Sequence, residues 1–230
     1  MNRIIWQPWG GLGDNLQYST LPERFMAAGD ACFISSANVY RNHEIFDLVW
    51  RSNPYVKGVS EDTPNAGACL PFSRAFGSKS IVYNQEHLHR LTPLNETPKI
   101  YYQPQPCPAV EGSVLVDFSG HTRQWVIPAD LDAYLQEHFP GREIVVPVSP
   151  NHANQYYGFK HDRKAPMKDI FEFCDAIAAC HCFVCSCSGN NALASALNKE
   201  KTTCFIFDRN DQYAFPNITY VVPATTVPRN

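Results

Sequence analysis

The chain has 230 residues, of which 44% are hydrophobic and 18% charged, with a net charge of -3. That length allows one large domain or two of roughly 100 residues, because domains commonly run about 50 to 250; the composition is that of a globular protein with a real core, and the slightly acidic balance offers no basic surface for nucleic acid. No apolar run reaches the roughly 18 residues a membrane helix needs, and the opening Met1 to Pro8 meets a proline and then three glycines before a signal-peptide core could form, so a cytoplasmic protein without a transmembrane segment is expected.

Ile4 to Gln7 reads as a short strand, and Trp9-Gly10-Gly11-Leu12-Gly13-Asp14-Asn15 as a glycine turn. Leu16 to Ala28, with Leu16, Leu21, Phe25 and Met26 in helical spacing, reads as one helix closed by Gly29. Ala31 to Ser35 is a second strand. Asn42 to Trp50 is a helix presenting Ile45, Phe46, Val49 and Trp50, stopped by Asn53-Pro54 before a third strand at Tyr55 to Val59. The order strand, helix, strand, helix, strand predicts a parallel sheet with covered faces. Glu61 to Arg74 is turn-rich, and Lys79 to Tyr83 reads as a further strand. In a strand, His87 and His89 would point to one side.

Five prolines, at 93, 98, 104, 106 and 108, mark the segment from Thr92 to Pro108 as a linker. It divides the chain into a first domain over 1–108 and a second domain over 109–230. The second half opens with the strand Ser113 to Phe118 and the loop Ser119-Gly120-His121-Thr122-Arg123. A helix around Leu131 to Phe139, a strand at Glu143 to Val148 and a helix over Asp169 to Ala179 follow. Then come the strand Cys182 to Ser186, a second glycine turn at Cys187-Ser188-Gly189-Asn190-Asn191, a helix at Ala192 to Leu197 and a strand at Thr203 to Phe207. Five of the nine cysteines lie at 174, 180, 182, 185 and 187, without paired CxxC spacing. They read as buried structural thiols in a reducing compartment, and no metal site is expected.

Each glycine turn leads from a strand into a helix, where backbone N–H groups can cradle an anion or present a side chain. The first is not a GxGxxG fingerprint, and Ser35 and Ser36 stand where a dinucleotide fold would place an acidic residue, which disfavours a standard dinucleotide site. Asp14 is open to two readings, an N-cap of the following helix or a ligand-facing side chain. Ser188 to Asn191 is likewise either a plain cap or an anion cradle. The hydroxyls and guanidinium of Ser119 to Arg123 suit diphosphate oxygens. The histidines show no HExxH pattern, Tyr156, Tyr157 and Phe159 could stack on a ligand or simply pack, and neither a GxSxG elbow nor a Walker lysine is present.

The stretch Gly11-Leu12-Gly13-Asp14-Asn15-Leu16-Gln17-Tyr18-Ser19-Thr20-Leu21-Pro22 resembles the N-terminal turn of the ADP-heptose:lipopolysaccharide heptosyltransferase family. Asp169 to Leu197 resembles that family's donor-side segment, and Phe118 to Trp125 the segment opening its second domain. Cys187 replaces the aspartate usual before Ser-Gly, and Ala192 the histidine at the start of the next helix. The opening also resembles the GGLGNQ turn of certain fucosyltransferases, with Asp14 in place of asparagine.

The resemblance implies an α/β, GT-B-like fold of two Rossmann-like domains facing a cleft. It implies an inverting, metal-independent glycosyltransferase that needs no cofactor beyond its nucleotide-sugar co-substrate and takes a glycan or other hydroxyl acceptor. Asp14 would be the general base, within an acceptor-side turn of Gly11, Gly13, Asn15 and Gln17. Ser119, Gly120, Thr122, Arg123, Ser188, Gly189, Asn190 and Asn191 would hold the donor diphosphate. Two alternatives stay open: a nucleotide- or glycan-binding protein without catalysis, to which Cys187 and Ala192 point, and a sugar-nucleotide epimerase.

Overall fold

A computed structural model of the protein describes residues 1–62, 80–119, 128–149, 158–206 and 213–223. The chain divides into two compact units, Met1–Gln103 with Asp211–Phe215, and Pro104–Asn210 with Pro216–Asn230.

The first unit holds a parallel sheet of β1 (Asn2–Ile5), β2 (Ala31–Ser35) and β3 (Val56–Ser60), paired in that order. One helix was expected over 16–28, and the structure has two, α1 (Leu12–Leu16) and α2 (Leu21–Ala27). The break at 17–20 has a local cause. Ser19 Oγ turns back to the Leu16 carbonyl at 2.7 Å, and Pro22, which has no N–H to give a preceding turn, restarts the helix in its first turn. After β2, α3 (His43–Phe46) is capped by Asn42 Oδ1 on Ile45 N and widens into a π-helical turn at Asp47–Arg51.

The strand expected at Lys79 to Tyr83 is not formed where it is described. Ser80 accepts from Tyr83 N and caps α4 (Ile81–Leu88), because so short an apolar run fits either period and the cap decides. His87 and His89 therefore share no strand face: His87 is exposed, while His89 packs edge-on against Tyr18 and Phe25. On the same helix the fully buried Glu86 carboxylate accepts from Leu94 N at 2.7 Å and from Asn95 N and Nδ2 at 3.3 and 2.5 Å, with Arg24 Nε 3.7 Å away. A buried carboxylate needs such a full set of partners, and this one pins the start of the proline-rich segment to its unit.

The second unit is a six-stranded parallel sheet in the order β6-β5-β4-β7-β8-β9. Its strands are β4 (Val114–Asp117), β5 (Ile144–Val148), β6 (Arg163–Pro166), β7 (Cys182–Ser186), β8 (Thr202–Phe205) and β9 (Thr219–Val221). Helices α5 (Pro128–His138), α6 (Ile170–Ala179) and α7 (Gly189–Ala196) connect them. β6 and β9 had no sequence signal. They are the sheet's edges, short and partly polar, and so lack the apolar run of a strand buried on both faces. From β4 the chain builds outward through β5 to β6, then α6 returns it to the far flank of β4, where β7 starts the other half. The boundary between β4 and β7 is thus where the winding reverses.

One face of this sheet buries Val114, Val116, Val146, Val184, Leu131, Leu135, Phe118, Phe159 and Phe205; on the other Phe173 of α6 meets Phe183 edge-on. Phe159, left open above between stacking and packing, lies in this core, whereas Tyr156 and Tyr157 fall outside the described residues. All the described cysteines except Cys107 are buried, and all are free thiols. Burial pushes the Cys182 thiol up to about 11 and the Cys180 thiol up to about 12, so they pack as small apolar groups.

His89 supplies a pH test. Desolvation, assisted by Arg3, lowers it to about 4, so the folded state keeps it neutral while the unfolded chain binds its proton near 6.5. Between those values the unfolded state holds more protons, and stability falls as pH falls. Urea unfolding of the wild type should show a loss of about 2 kcal/mol from pH 7 to pH 5, and His89→Leu should remove most of that slope.

Candidate functional site

The first glycine turn is built on buried amides. Asn15, fully enclosed, donates from Nδ2 to Gly11 O at 2.8 Å, while its Oδ1 accepts from Trp50 Nε1 at 2.9 Å and Gln7 Nε2 at 3.2 Å. Gln7 extends the network: its Oε1 accepts from Trp9 N at 2.8 Å, and its own N–H donates to Asn38 Oδ1 at 2.9 Å. Gln17, also buried, donates to Asp14 O at 2.9 Å and accepts from Gln85 Nε2 at 3.0 Å. Of the acceptor-side residues, Gly11 and Gly13 therefore form the turn, while the side chains of Asn15 and Gln17 hold it from beneath.

Asp14 is not the N-cap that one reading expected. The helix starts earlier, Gly11 is its N-cap in extended conformation, and Asp14 is the third helical residue, its Oδ2 accepting from Gly11 N at 3.0 Å. The carboxylate folds so closely over Gly11 that an added Cβ there would lie 2.6 Å from Oδ2. Gly10 is small for another reason: a Cβ would meet Arg41 N at 2.9 Å, and Arg41 N itself donates to Gly10 O at 2.8 Å. Burial raises the Asp14 carboxyl above the usual carboxylate range, opposed by the Gly11 N–H and the Arg41 guanidinium. Sequence reading missed Arg41, Gln7 and Asn38: Gln7 follows β1 into the turn, while Asn38 and Arg41 reach it from the loop after β2.

The second turn lies at the β4/β7 reversal. Ser188 is the N-cap of α7, its Oγ accepting from Asn190 N at 3.2 Å while Asn191 Oδ1 accepts from Ser188 N at 3.0 Å. Gly189 N–H has no partner among the described residues, and the first turn carries no acidic side chain. Asp117, buried at the end of β4, joins this turn to the next loop. Its Oδ2 accepts from Asn190 Nδ2 at 2.8 Å and its Oδ1 from Ser119 N at 2.7 Å, and Asn190 Nδ2 stands 3.5 Å from Ser119 Oγ. Ser119 and Ser188 to Asn191 are thus brought together. Gly120, Thr122 and Arg123 lie outside the described residues. Asp117 escaped notice because it reads as the end of an apolar strand; a carboxylate closing such a run was its signal. Cys187, where the resembled family has aspartate, is buried beside Cys204. Among the described residues no group of three or more His, Cys, Asp and Glu is gathered as a metal site, and no helix is long and apolar enough to cross a membrane.

A helix-start turn at the reversal of the strand order stands where open parallel α/β sheets commonly bind ligands. No protein-family model matches the sequence, and no curated protein matches it. Solved structures do. The iron-containing dodecameric glycosyltransferase TibC from enterotoxigenic E. coli matches with a TM-score of 0.65 at 14% identity, over 98% of this chain and 65% of TibC. E. coli heptosyltransferase WaaC with ADP matches at 0.62 and 11% identity, over 96% of this chain and 92% of WaaC. A glycosyl transferase family 9 structure from Veillonella parvula matches at 0.62 and 10% identity, over 96% and 85%. The chain has the mixed α/β fold of these heptosyltransferases and glycosyltransferases, in agreement with the resemblance carried by its motifs, and it spans 65% of the length of TibC.

The amide network predicts a steep cost for removing its centre. Asn15→Ala strands the Trp50 Nε1 donor and takes one partner each from Gln7 Nε2, which keeps Val39 O, and from the Gly11 carbonyl, which keeps the backbone N–H of residue 15; it should cost about 2 to 4 kcal/mol in equilibrium urea unfolding. A cost below about 1 kcal/mol would show that the turn is held by other means.

Proposed function

We propose that the protein is a glycosyltransferase that moves a sugar from a nucleoside-diphosphate donor to a glycan or other hydroxyl acceptor, with inversion and without a metal ion. The observation that carries this reading is the junction at the β4/β7 reversal, where Asp117 ties Ser119 to the start of α7. Open α/β sheets bind ligands at such a point, and a helix start whose Gly189 N–H has no partner among the described residues and whose first turn carries no acidic side chain favours the diphosphate and the charge it gains as it leaves. The ADP carried by the similar WaaC structure fits that chemistry.

Asp14 is the general base on the acceptor hydroxyl. Desolvation raises its half-buried carboxylate above the ordinary value, opposed by the Gly11 N–H and Arg41, and a carboxylate of greater proton affinity is the better base. Removal of the hydroxyl proton lets the oxygen attack the anomeric carbon from the face away from the diphosphate, which leaves with inversion. The reading without catalysis draws on Cys187, whose buried thiol offers a ligand no carboxylate.

Calorimetry with ADP, UDP and GDP, run beside a sugar-nucleotide consumption assay, tests both. Binding of at least one diphosphate is expected, with transfer unaffected by EDTA; binding without turnover on any acceptor favours the non-catalytic protein. Asp14→Asn should lower kcat about 100-fold or more while leaving nucleotide affinity unchanged, and full activity in that variant would remove the base assignment. Ser188→Asp keeps an equally good N-cap but adds a negative charge. It should preserve stability within about 0.5 kcal/mol and weaken diphosphate binding about 10-fold or more.

A further inference from the structure

After α3 the helix is widened to the π form over Asp47–Arg51, and Ser52 N donates to Asp47 O, five residues back, at 3.1 Å. Such turns are rare and commonly stand at functional sites. In an unbroken α-helix Ile45, Leu48 and Val49 share one face, while Trp50, five residues after Ile45, points about 140° away from it. Here all four side chains are buried. The wide turn returns a fifth residue toward the face of the first, and it does so for an indole with a polar partner: Trp50 Nε1 donates to Asn15 Oδ1 at 2.9 Å, beneath the first glycine turn.

A continuous chain of hydrogen bonds leads from that indole to the Asp14 carboxylate. Trp50 Nε1 and Gln7 Nε2 both donate to Asn15 Oδ1, which leaves the amide one orientation, with Nδ2 on Gly11 O at 2.8 Å. Gly11 N in turn donates to Asp14 Oδ2 at 3.0 Å. A glycine sets no backbone direction of its own, so the two bonds to its carbonyl, from Asn15 N and Nδ2, are what aim its N–H. We infer that Trp50 is a positioning residue for Asp14: the π-helical turn brings the indole N–H under Asn15, and the Asn15 amide, acting through Gly11, fixes where the carboxylate stands. The ring fills the core and the N–H aims the turn. An apolar ring of the same shape would pack as well and leave the turn loose. The consequence for sugar transfer rests on Asp14 being the base; the chain of hydrogen bonds does not.

Hydrogen exchange followed by NMR on the full chain separates the two parts of the side chain. Trp50→Phe keeps a ring and loses the N–H. Replacement of Trp50 by 3-benzothienylalanine keeps the whole bicyclic shape, exchanges the N–H for sulfur, and is the deciding variant if the phenylalanine one fails to fold. In both, the Gly11 amide should exchange about 10-fold faster or more than in the wild type, while the amides of β2 keep their rates. Gly11 exchange that is unchanged in the benzothienyl variant, or accelerated no more than that of β2, overturns the inference, because the indole is then core packing alone. In transfer assays Trp50→Phe should lower kcat about 10-fold with the donor KM held within about twofold, and added to Asp14→Asn it should lower kcat no further. A fully additive loss overturns the inference as well. Asp14→Asn transferring sugar at the full rate removes the base assignment and leaves the exchange result standing.

Discussion

Parallel pairing is the constraint from which the rest follows. Parallel strands need a crossover for every link, so all of them enter a sheet at one edge and leave at the other. Each departing edge therefore collects the turns that start the helices. In the first unit this places the turn after β1 beside the loop after β2, although Gly10 and Arg41 are far apart in the chain. In the second it places the ends of β4 and β7 in register, Asp117 opposite Cys185, with Ser119 and Asn190 just beyond. Neither pairing of loops requires a dedicated motif; strand direction and order supply both.

The turns themselves are secured by buried carboxamides. Asn15 beneath the first and Asn190 and Asn191 at the second carry a donor and an acceptor on one short side chain, so each can serve backbone and side chain at once. Enclosed polar groups are costly unless satisfied, and once satisfied they permit few alternative geometries. That makes asparagine more useful under a binding turn than an apolar residue of equal size, which would fill the space without fixing the loop.

The legible part of this structure is the part whose cause is local. β4, β7 and β8, buried on both faces, are apolar runs; α6 repeats its apolar face at helical spacing behind the Asp169 cap; and strand alternating with helix gives a parallel sheet. Where causes are distant or competing, reading fails. β6 and β9 are strands because neighbours pair with them, not through their own pattern, and Lys79 to Tyr83 gave no sign that Ser80 would cap a helix. In the candidate sites the glycines, Asp14 and the Ser188 turn announced themselves through backbone chemistry. Asp117 with Asn190, separated by 73 residues, and Arg41 with Gly10 did not, because only topology makes them neighbours.

Two turns of the same kind end with opposite electrostatic characters, and capping chemistry is the reason. At α1, a helix of five residues, the start is satisfied from within by a carboxylate, since Asp14 closes on the Gly11 N–H and brings its own negative charge. No further anion is favoured there, and what the turn offers is a carboxylate whose basicity its surroundings can adjust. At α7 the caps are a hydroxyl and an amide, which satisfy individual N–H groups without cancelling the positive end of the helix. The Asp117 carboxylate stands beside this helix start rather than in its first turn, held by N–H donors from Ser119 and Asn190 that stabilise its charge without removing it. On the proposed reading the first turn takes a proton and the second holds an anion. A group transfer in which a hydroxyl is deprotonated and a diphosphate departs asks for that division of labour, and here it comes down to acid against neutral side chains at two helix starts.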